Sequence, residues 1–201
     1  FILKPSERDP TLPHLLGDIF CDAGLPTGIF SVVNGDKEMV DAIIQHPDIA
    51  AISFVGSSDV AQYIHSEGCA RGKRVQAMGG AKNHAIVMPD ADLDQVVRDL
   101  TGAAFGSAGE RCMALPVVVP VGEETATRLR AAMLPAISKL RIGTSLDPDA
   151  DYGPVVTATH KARIESYIQM GVDEGAELVV DGRGFSLQGH EDGFFIGPSL
   201  F

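Results

Sequence analysis

The segment Gly109-Glu110-Arg111-Cys112 places a cysteine directly after an arginine. A thiol attacks a carbonyl carbon as its thiolate, and a neighbouring cation lowers the pKa of a thiol. Arg111 supplies such a cation, and the glycines upstream favour a backbone bend that presents the sulfur. A free cysteine is more often a small buried apolar residue, which is our interpretation of Cys21 and Cys69 on their predicted helices. Cys112 is therefore the candidate nucleophile.

A second candidate is the junction in which a strand over residues 50–54 leads through Val55-Gly56-Ser57 into a helix. Glycine lets a phosphate approach the backbone, and a helix N-terminus offers unpaired N–H groups and partial positive charge. Ser57 either caps the helix or binds the phosphate itself. The competing interpretation, an ordinary strand-to-helix turn with a capping serine, is the commoner one for such a junction taken alone.

Lys4 and Glu7 follow the first predicted strand directly. In a parallel sheet, ligands bind beyond the carboxyl ends of the strands. A carboxylate at that edge accepts hydrogen bonds from two ribose hydroxyls and repels a 2′-phosphate, which favours NAD over NADP. Without further evidence, a solvated surface ion pair is the better interpretation of these two residues.

Composition limits the classes of partner. The chain of 201 residues carries a net charge of -11, and an acidic surface repels nucleic acids. No apolar run reaches membrane-spanning length, so we expect no membrane partner. The three cysteines are odd in number and lack metal-ligand spacing, which favours a reduced intracellular compartment without disulfides or a metal site. Both ends, at Phe1 and Phe201, look internal to a longer protein.

The elements that must position these residues alternate along the chain. We predict strands at 1–3, 29–33, 49–54 and 73–77, with three helices between them, the last over 58–69. This order predicts a parallel sheet with crossover helices, and the nearly continuous apolar strands predict burial on both faces. Residues 1–80 therefore indicate the later half of a doubly wound nucleotide-binding domain, with Met78-Gly79-Gly80-Ala81 as its boundary.

Residues 81–201 predict a second, incomplete α/β region. Its predicted strands lie at 85–88, 115–121, 178–180 and 194–196. Three helices are predicted in this region. The first begins at Asp92 and is interrupted by residues 106–109, and the other two cover 123–139 and 158–171. The fold class is therefore α/β in both regions.

Several segments together resemble the aldehyde dehydrogenase superfamily. Residues 105–112, Phe-Gly-Ser-Ala-Gly-Glu-Arg-Cys, resemble its active-site pattern, in which a Phe and a Gly precede the Cys at this spacing. Lys4-Pro5-Ser6-Glu7 resembles its adenosine-ribose motif, and Phe54-Val55-Gly56-Ser57 its pyrophosphate turn. Gly153-Pro154 and Gly193-Phe194-Phe195 also occur at the family's usual places. Order and spacing agree over the whole chain, so the three chemical interpretations gain support together.

The resemblance implies roles for particular residues. Residues 1–80 become the C-terminal part of an NAD-binding domain and residues 81–201 the N-terminal part of a catalytic domain. Cys112 becomes the catalytic nucleophile, its backbone N–H helps to hold the oxyanion, and Arg111 and Phe105 bind substrate. The residues implied in NAD binding are Lys4, Glu7, Gly35, Gly56, Ser57, Met78 and Gly79. A homotetramer in a bacterial cytoplasm or mitochondrial matrix is the expected assembly and location.

One departure from the family pattern narrows the expected reaction. Hydrolytic members carry a glutamate general base in a Glu-Leu-Gly-Gly motif, and this chain has Ala77 or Met78 at that place. No Asp or Glu occurs between Glu67 and Asp90. Without a base, water is a poorly activated attacker, whereas a thiol is intrinsically nucleophilic and far more ionised near neutral pH. Gly-Ala-Lys-Asn-His at 80–84 and Gly-Glu-Arg-Cys-Met-Ala at 109–114 resemble the methylmalonate-semialdehyde dehydrogenase subfamily.

That subfamily resemblance implies an NAD-dependent, CoA-acylating oxidation through a thioester on Cys112. Methylmalonate semialdehyde or malonate semialdehyde would give propionyl-CoA or acetyl-CoA with loss of CO2, in valine or inositol breakdown. The alternatives are a hydrolytic aldehyde dehydrogenase, a non-catalytic nucleotide-binding or scaffold relative, and a purely structural α/β domain. The family's oxyanion Asn would precede Phe1 and its nicotinamide-ribose Glu would follow Phe201, so we expect these 201 residues alone to be inactive.

Overall fold

The computed structural model describes residues 1–201, which form two compact units, Phe1–Gly80 and Ala81–Phe201. The first unit contains β1 (Ile2–Leu3), α1 (Thr11–Asp22), β2 (Ser31–Val32), α2 (Lys37–Gln45), β3 (Ala51–Val55), α3 (Ser58–Ala70) and β4 (Arg74–Met78). The second contains β5 (His84–Val87), α4 (Leu93–Phe105), a 3-10 turn (Gly106–Gly109), β6 (Val117–Pro120), α5 (Glu123–Ser138) and α6 (Ala158–Asp173). The α/β prediction is confirmed.

All strand pairs are parallel, as expected from the alternation of strands and helices. β1 pairs with β2, β3 pairs with β4 from Ala51↔Arg74 to Val55↔Met78, and β5 pairs with β6. In each pair a helix lies between the two strands in sequence, which is the βαβ arrangement. The first unit nevertheless holds two separate two-stranded sheets instead of one continuous sheet, since no strand bonds to both pairs.

The prediction that the strands are buried on both faces was wrong. Along β3 and β4, half-buried and exposed residues alternate, and Val55 is 62% exposed. Helix α3 packs against both strands through Gly68, where a Cβ would lie 2.6 Å from the Val75 side chain. The alternation shows that one face of this pair is covered and the other faces outward. Helix α1 likewise has no buried residue.

The larger core lies in the second unit. Val87, Leu100, Leu129, Met133 and Ile137 form one buried cluster that joins β5, α4 and α5. Helix α4 begins at the cap residue Asp92, whose carboxylate accepts a hydrogen bond from the Gln95 N–H at 3.1 Å. A smaller cluster contains Val155, Ile168 and Ile196. None of the helices is both long and apolar enough to span a bilayer.

The strand predicted at 194–196 does not form. The carbonyls of this segment bond singly instead of in a ladder: Phe194 accepts from the Val155 N–H, and Ile196 accepts from the buried Tyr152 hydroxyl at 3.1 Å. Of the strand predicted at 178–180, only Val180 remains, in an isolated antiparallel bridge with Leu200.

Candidate active site

The nucleophile loop, residues 106–114, reverses the chain directly after α4. Ser107 and Ala108 have left-handed backbone angles, with φ of 56° and 52°, and Gly109 follows with φ of 78°. Each left-handed residue other than glycine costs about 1–3 kcal/mol. The bend that the glycines predict is therefore present, but two of its three left-handed residues carry side chains. Before it, Phe105 packs against the core of the second unit.

Cys112 lies in a turn at the tip of this loop. The turn is closed by a hydrogen bond from the Ala114 N–H to the Arg111 carbonyl at 3.0 Å. Cys112 is exposed, and its backbone N–H donates to no group within the chain. An accessible sulfur next to a free N–H donor is the arrangement that carbonyl attack requires.

Exposure alone does not distinguish this cysteine. Cys21 and Cys69 are also exposed, so the prediction that both serve packing was wrong. The Cys69 sulfur lies 3.7 Å from His65 Nε2 on the same helix. What sets Cys112 apart is its place in a loop instead of a regular helix.

The Arg111 side chain turns back towards the end of α4. A Cβ on Gly106 would lie 2.6 Å from the Arg111 Cζ, so the glycine leaves room for the guanidinium. Arg111 Nη1 donates to the Gly102 carbonyl at 3.4 Å, in the last turn of α4 where carbonyls carry partial negative charge. This bond is long and its acceptor neutral, so a carboxylate ligand would be a stronger partner.

Two residues that contact the nucleophile loop were not found from the sequence. The Asn83 side-chain amide donates to the carbonyls of Cys112 and Ala114 at 3.0 and 2.8 Å. His160, in the first turn of α6, lies 2.5 Å from a Glu110 carboxylate oxygen. The separations of 29 to 50 residues carry no local signal. The only sequence hint was Asn83 inside the Gly-Ala-Lys-Asn-His segment. No group of three or more His, Cys, Asp and Glu side chains is placed to hold a metal ion.

The phosphate turn, residues 55–58, joins β3 to α3 in the first unit. Ser57 is the cap residue of α3 with extended backbone angles, and its hydroxyl makes no capping bond. The first main-chain bond of the helix runs from the Ala61 N–H to the Ser57 carbonyl, so the N–H groups of residues 58–60 have no main-chain partner. A free hydroxyl and free N–H groups at a helix N-terminus fit a pyrophosphate.

Close packing of glycines shapes the turn. A Cβ on Gly56 would lie 2.5 Å from the Phe54 ring, and a Cβ on Gly79 would lie 2.9 Å from Ser58 Cα. The Gly56 N–H donates to the Met78 carbonyl, and the Gly80 N–H donates to Ser58 Oγ, both at 3.1 Å. The structure thus brings Gly56, Met78 and Gly79 together at the carboxyl ends of β3 and β4. It adds Ser58, which sequence reasoning missed.

Lys4 and Glu7 lie after the carboxyl end of β1 and form an ion pair at 3.4 Å. A hydrogen bond from its own backbone N–H, and then Lys4, hold the pKa of Glu7 below its ordinary value. The carboxylate is therefore ionised at neutral pH and able to accept hydroxyl donors. Gly35 follows the parallel neighbour β2 with φ of +144°, and a Cβ there would lie 2.6 Å from Met39 Cβ, so the turn requires glycine.

Comparison with known proteins places the chain in a family. Residues 1–201 match the family described as "Aldehyde dehydrogenase family". The chain is 58% identical to malonate-semialdehyde dehydrogenase of Pseudomonas aeruginosa over 201 residues, which is 100% of this chain and 40% of that relative. Malonate-semialdehyde dehydrogenase of Halalkalibacterium halodurans is 51% identical over the same length. The chain thus spans about two fifths of the length of these curated relatives, with 40% and 41% of each covered.

Solved structures agree with this assignment. A methylmalonate-semialdehyde dehydrogenase from Oceanimonas doudoroffii has a TM-score of 0.96 at 51% identity, with 99% of this chain and 41% of that chain covered. A Mycobacterium tuberculosis aldehyde dehydrogenase complexed with NAD+ has a TM-score of 0.90 at 31% identity, with 98% and 40% covered. The expected aldehyde dehydrogenase-like fold and the likeness to semialdehyde dehydrogenases are confirmed. This chain belongs to the aldehyde dehydrogenase family.

Proposed function

We propose that this chain forms part of an NAD-dependent, CoA-acylating dehydrogenase of malonate semialdehyde or methylmalonate semialdehyde. The products would be acetyl-CoA or propionyl-CoA, with loss of the substrate carboxylate as CO2. The observation that carries the proposal is an exposed Cys112 in a tight turn, in a chain with no carboxylate at the position of the hydrolytic base. The names of the relatives support the choice of substrate class.

Cys112 performs the covalent step. Its thiolate adds to the aldehyde carbon, and the unpaired Cys112 N–H stabilises the oxyanion of the resulting thiohemiacetal. NAD, when bound, supplies the hydride acceptor that turns this adduct into a thioester. The carboxylate of the substrate leaves as CO2, and the carbon that carried it takes up a proton in its place. The CoA thiolate attacks the acyl carbon and releases the Cys112 thiolate.

The first unit holds the groups for NAD. The α3 N-terminus, Gly56 and the free Ser57 hydroxyl suit the pyrophosphate. The ionised Glu7, beside Lys4, suits the two hydroxyls of the adenosine ribose and disfavours a 2′-phosphate. Gly35 and Gly79 lie in the turns that follow β2 and β4, and Met78 is the last residue of β4, where close backbone approach is possible.

The absence of a general base selects CoA over water. Ala77 is half-buried and Met78 is exposed at the end of β4, and neither side chain can accept a proton. Water would thus attack the thioester without base assistance, which forfeits about 10²–10⁴-fold in rate. A CoA thiol depends less on such a base, because a few per cent of a thiol is already thiolate at about pH 7 and a thiolate is intrinsically a strong nucleophile.

Arg111 is the candidate partner of the substrate carboxylate. Its guanidinium gives up only a 3.4 Å bond to the Gly102 carbonyl when it turns to a ligand. Arg111→Leu should reduce kcat/KM for semialdehydes about 100-fold and for unbranched, uncharged aldehydes only a few-fold, because only the former carry a carboxylate. Equal losses on both substrates would remove this role.

The test of the proposal is the CoA dependence of the full-length protein that carries these residues. We expect NADH formation from malonate semialdehyde to require CoA and to yield acetyl-CoA in equal amount. Equal NADH formation without CoA, with release of the free acid, would favour the hydrolytic alternative. A Cys112 that resists iodoacetamide at neutral pH would favour a non-catalytic relative.

Two single substitutions test which position corresponds to the glutamate base of the hydrolytic enzymes. Ala77→Glu and Met78→Glu each restore a carboxylate at one of the two possible registers. We expect one of the two variants to acquire CoA-independent turnover, and the other serves as its matched control.

Assembly as a homotetramer in the cytoplasm of a bacterium or in the mitochondrial matrix belongs to the same proposal. The bacterial relatives favour the bacterial cytoplasm.

A further inference from the structure

We propose that Asn83 is a positioning residue for Cys112, which fixes the turn that presents the thiol and the oxyanion-binding N–H. The inference rests on the function proposed above and concerns the same site. It starts from the two hydrogen bonds of one side chain, to the carbonyls of Cys112 and Ala114 at 3.0 and 2.8 Å.

The orientation of the Asn83 amide follows from its partners. Both acceptors are backbone carbonyls, so the group facing them must be the NH2, which has two hydrogens to donate. The opposite orientation would place the amide oxygen against two carbonyl oxygens. Both donors of the side chain are therefore used on the nucleophile loop, on either side of Met113.

Asn83 bonds to the nucleophile loop at a point that the β5–β6 hydrogen-bond ladder does not reach. It directly precedes β5, and the parallel register between β5 and β6 starts at His84↔Val117. The residue before Val117 is Pro116, which has no N–H with which to extend the ladder. The side chain of Asn83 therefore ties the loop to β5 beyond the last main-chain bonds of the pair.

The loop needs such a restraint because its own backbone is strained. Ser107 and Ala108 hold left-handed angles that other conformations of the loop would relieve. The bond to the Cys112 carbonyl sets the plane of the peptide that follows the nucleophile, while the Cys112 N–H remains unpaired. A displacement of about 1 Å at a reacting group costs on the order of 100-fold in rate, so loss of this restraint should be visible in kcat.

The kinetic test uses the full-length protein with Asn83→Ala and Asn83→Asp, and Gln188→Glu as control. Asn83→Asp is isosteric but turns oxygens towards both carbonyls, whereas Asn83→Ala removes the bonds without adding charge. The control Gln188→Glu makes the same amide-to-carboxylate change at an exposed residue in a loop. We expect kcat to fall about 10–100-fold in both Asn83 variants, with KM for NAD within about twofold of wild type. The control should match wild type.

A second measurement needs neither NAD nor CoA. Without NAD an aldehyde adds to Cys112 and stays as a thiohemiacetal, which protects the sulfur from iodoacetamide, while Cys69 labelling serves as reference. The aldehyde concentration that gives half protection should rise at least about tenfold in both Asn83 variants, at a temperature where each variant is folded. Wild-type protection and kcat in either folded variant would overturn the inference.

The two proposals fail separately. If wild-type Cys112 is protected by aldehyde but no CoA-dependent oxidation occurs, the proposed function fails, and the protection data still decide the role of Asn83. If aldehyde does not protect wild-type Cys112 at all, Asn83 has no nucleophile to position and the inference fails. A purely structural Asn83 would lower the melting temperature and leave half protection unchanged, which also overturns it.

Discussion

The phosphate turn at residues 55–58 and the nucleophile loop at residues 106–114 are built in opposite ways. The turn is made by consecutive residues, in which a strand end and Gly56 lead through Ser57 into a helix whose first turn offers backbone N–H groups. The loop depends on side chains from elsewhere in the second unit, Asn83 and His160. A site formed by backbone N–H groups requires room for the ligand to approach the main chain. A site held by side chains requires that those side chains keep their hydrogen bonds.

The two sites also differ in backbone strain. Ser57 has ordinary extended angles and α3 begins directly after it, whereas the loop contains the left-handed Ser107 and Ala108. The turn should therefore fail when a Cβ is added, either at Gly56 within it or at Gly79, which packs against Ser58. The loop should fail when any of its few anchors or its sulfur is changed.

The largest expected effect is on the loop itself. Cys112→Ser should reduce acyl-CoA formation at least about 1,000-fold, because a serine hydroxyl near neutral pH is un-ionised and no base lies beside it in the chain. NAD binding, measured by fluorescence titration, should stay unchanged. Cys21→Ser and Cys69→Ser are matched controls on exposed thiols and should keep full activity. Retention of a tenth of the activity by Cys112→Ser would contradict the assignment.

The next effect tests the crowding of the phosphate turn. Gly56→Ala places a Cβ 2.5 Å from the Phe54 ring, so either the ring or the turn must move. We expect NAD affinity to fall about tenfold, read by isothermal titration, without change in Cys112 labelling. The double variant with Phe54→Leu frees the space and should recover most of the affinity. A double variant as weak as Gly56→Ala alone would show that crowding is not the cause.

How far the sequence predicts the fold depends on how local each feature is. Helix α3 was predicted over 58–69 and extends over Ser58–Ala70, since an apolar period and a terminal turn specify it. The split into two sheets was missed, because pairing depends on strands far apart in sequence. Residues 194–196 have strand-like composition, but their carbonyls bond Val155 and Tyr152 singly.

The same distinction separates the candidate sites. Gly56, Ser57 and Cys112 belong to short contiguous motifs, so their residue types were visible without coordinates. The Asn83 side chain bonds to Ala114, 31 residues later, and the His160 side chain contacts Glu110, 50 residues earlier. An isolated Asn or His in a sequence is compatible with many structural roles. The role of such residues becomes visible only when the fold brings the partners together.

A smaller effect separates side chain from backbone within the phosphate turn. Ser57→Ala removes a hydroxyl that makes no bond within the chain, so the melting temperature without NAD should not change. If that hydroxyl binds phosphate, NAD affinity should fall about three- to tenfold, the usual value of one hydrogen bond. Ser58→Ala, which breaks the bond to the Gly80 N–H, is the matched neighbour and should alter melting instead. Unchanged NAD affinity in Ser57→Ala would show that backbone N–H groups, and not the Ser57 hydroxyl, bind the phosphate.

The smallest effect concerns Glu7, which follows the carboxyl end of β1. Its pKa in the folded chain is lowered, first by its own backbone N–H and then by Lys4. A lowered carboxyl pKa stabilises the fold above the ordinary value of 4.5, and this contribution is lost as pH falls through the folded pKa. Because half of the Glu7 side chain is exposed, water screens the pair and the contribution is about 0.5 kcal/mol or less.

The corresponding measurement is the melting temperature of wild type minus that of Glu7→Gln, without NAD. This difference should be small and constant between about pH 6 and 8, and it should be lost as the pH falls from the ordinary value of 4.5 through the folded pKa. Since the backbone N–H is the largest cause of the shift, most of the difference should persist in a Lys4→Met background. A difference that disappears with Lys4 would mean that the ion pair dominates, and the edge at β1 would then resemble the nucleophile loop in its dependence on side chains.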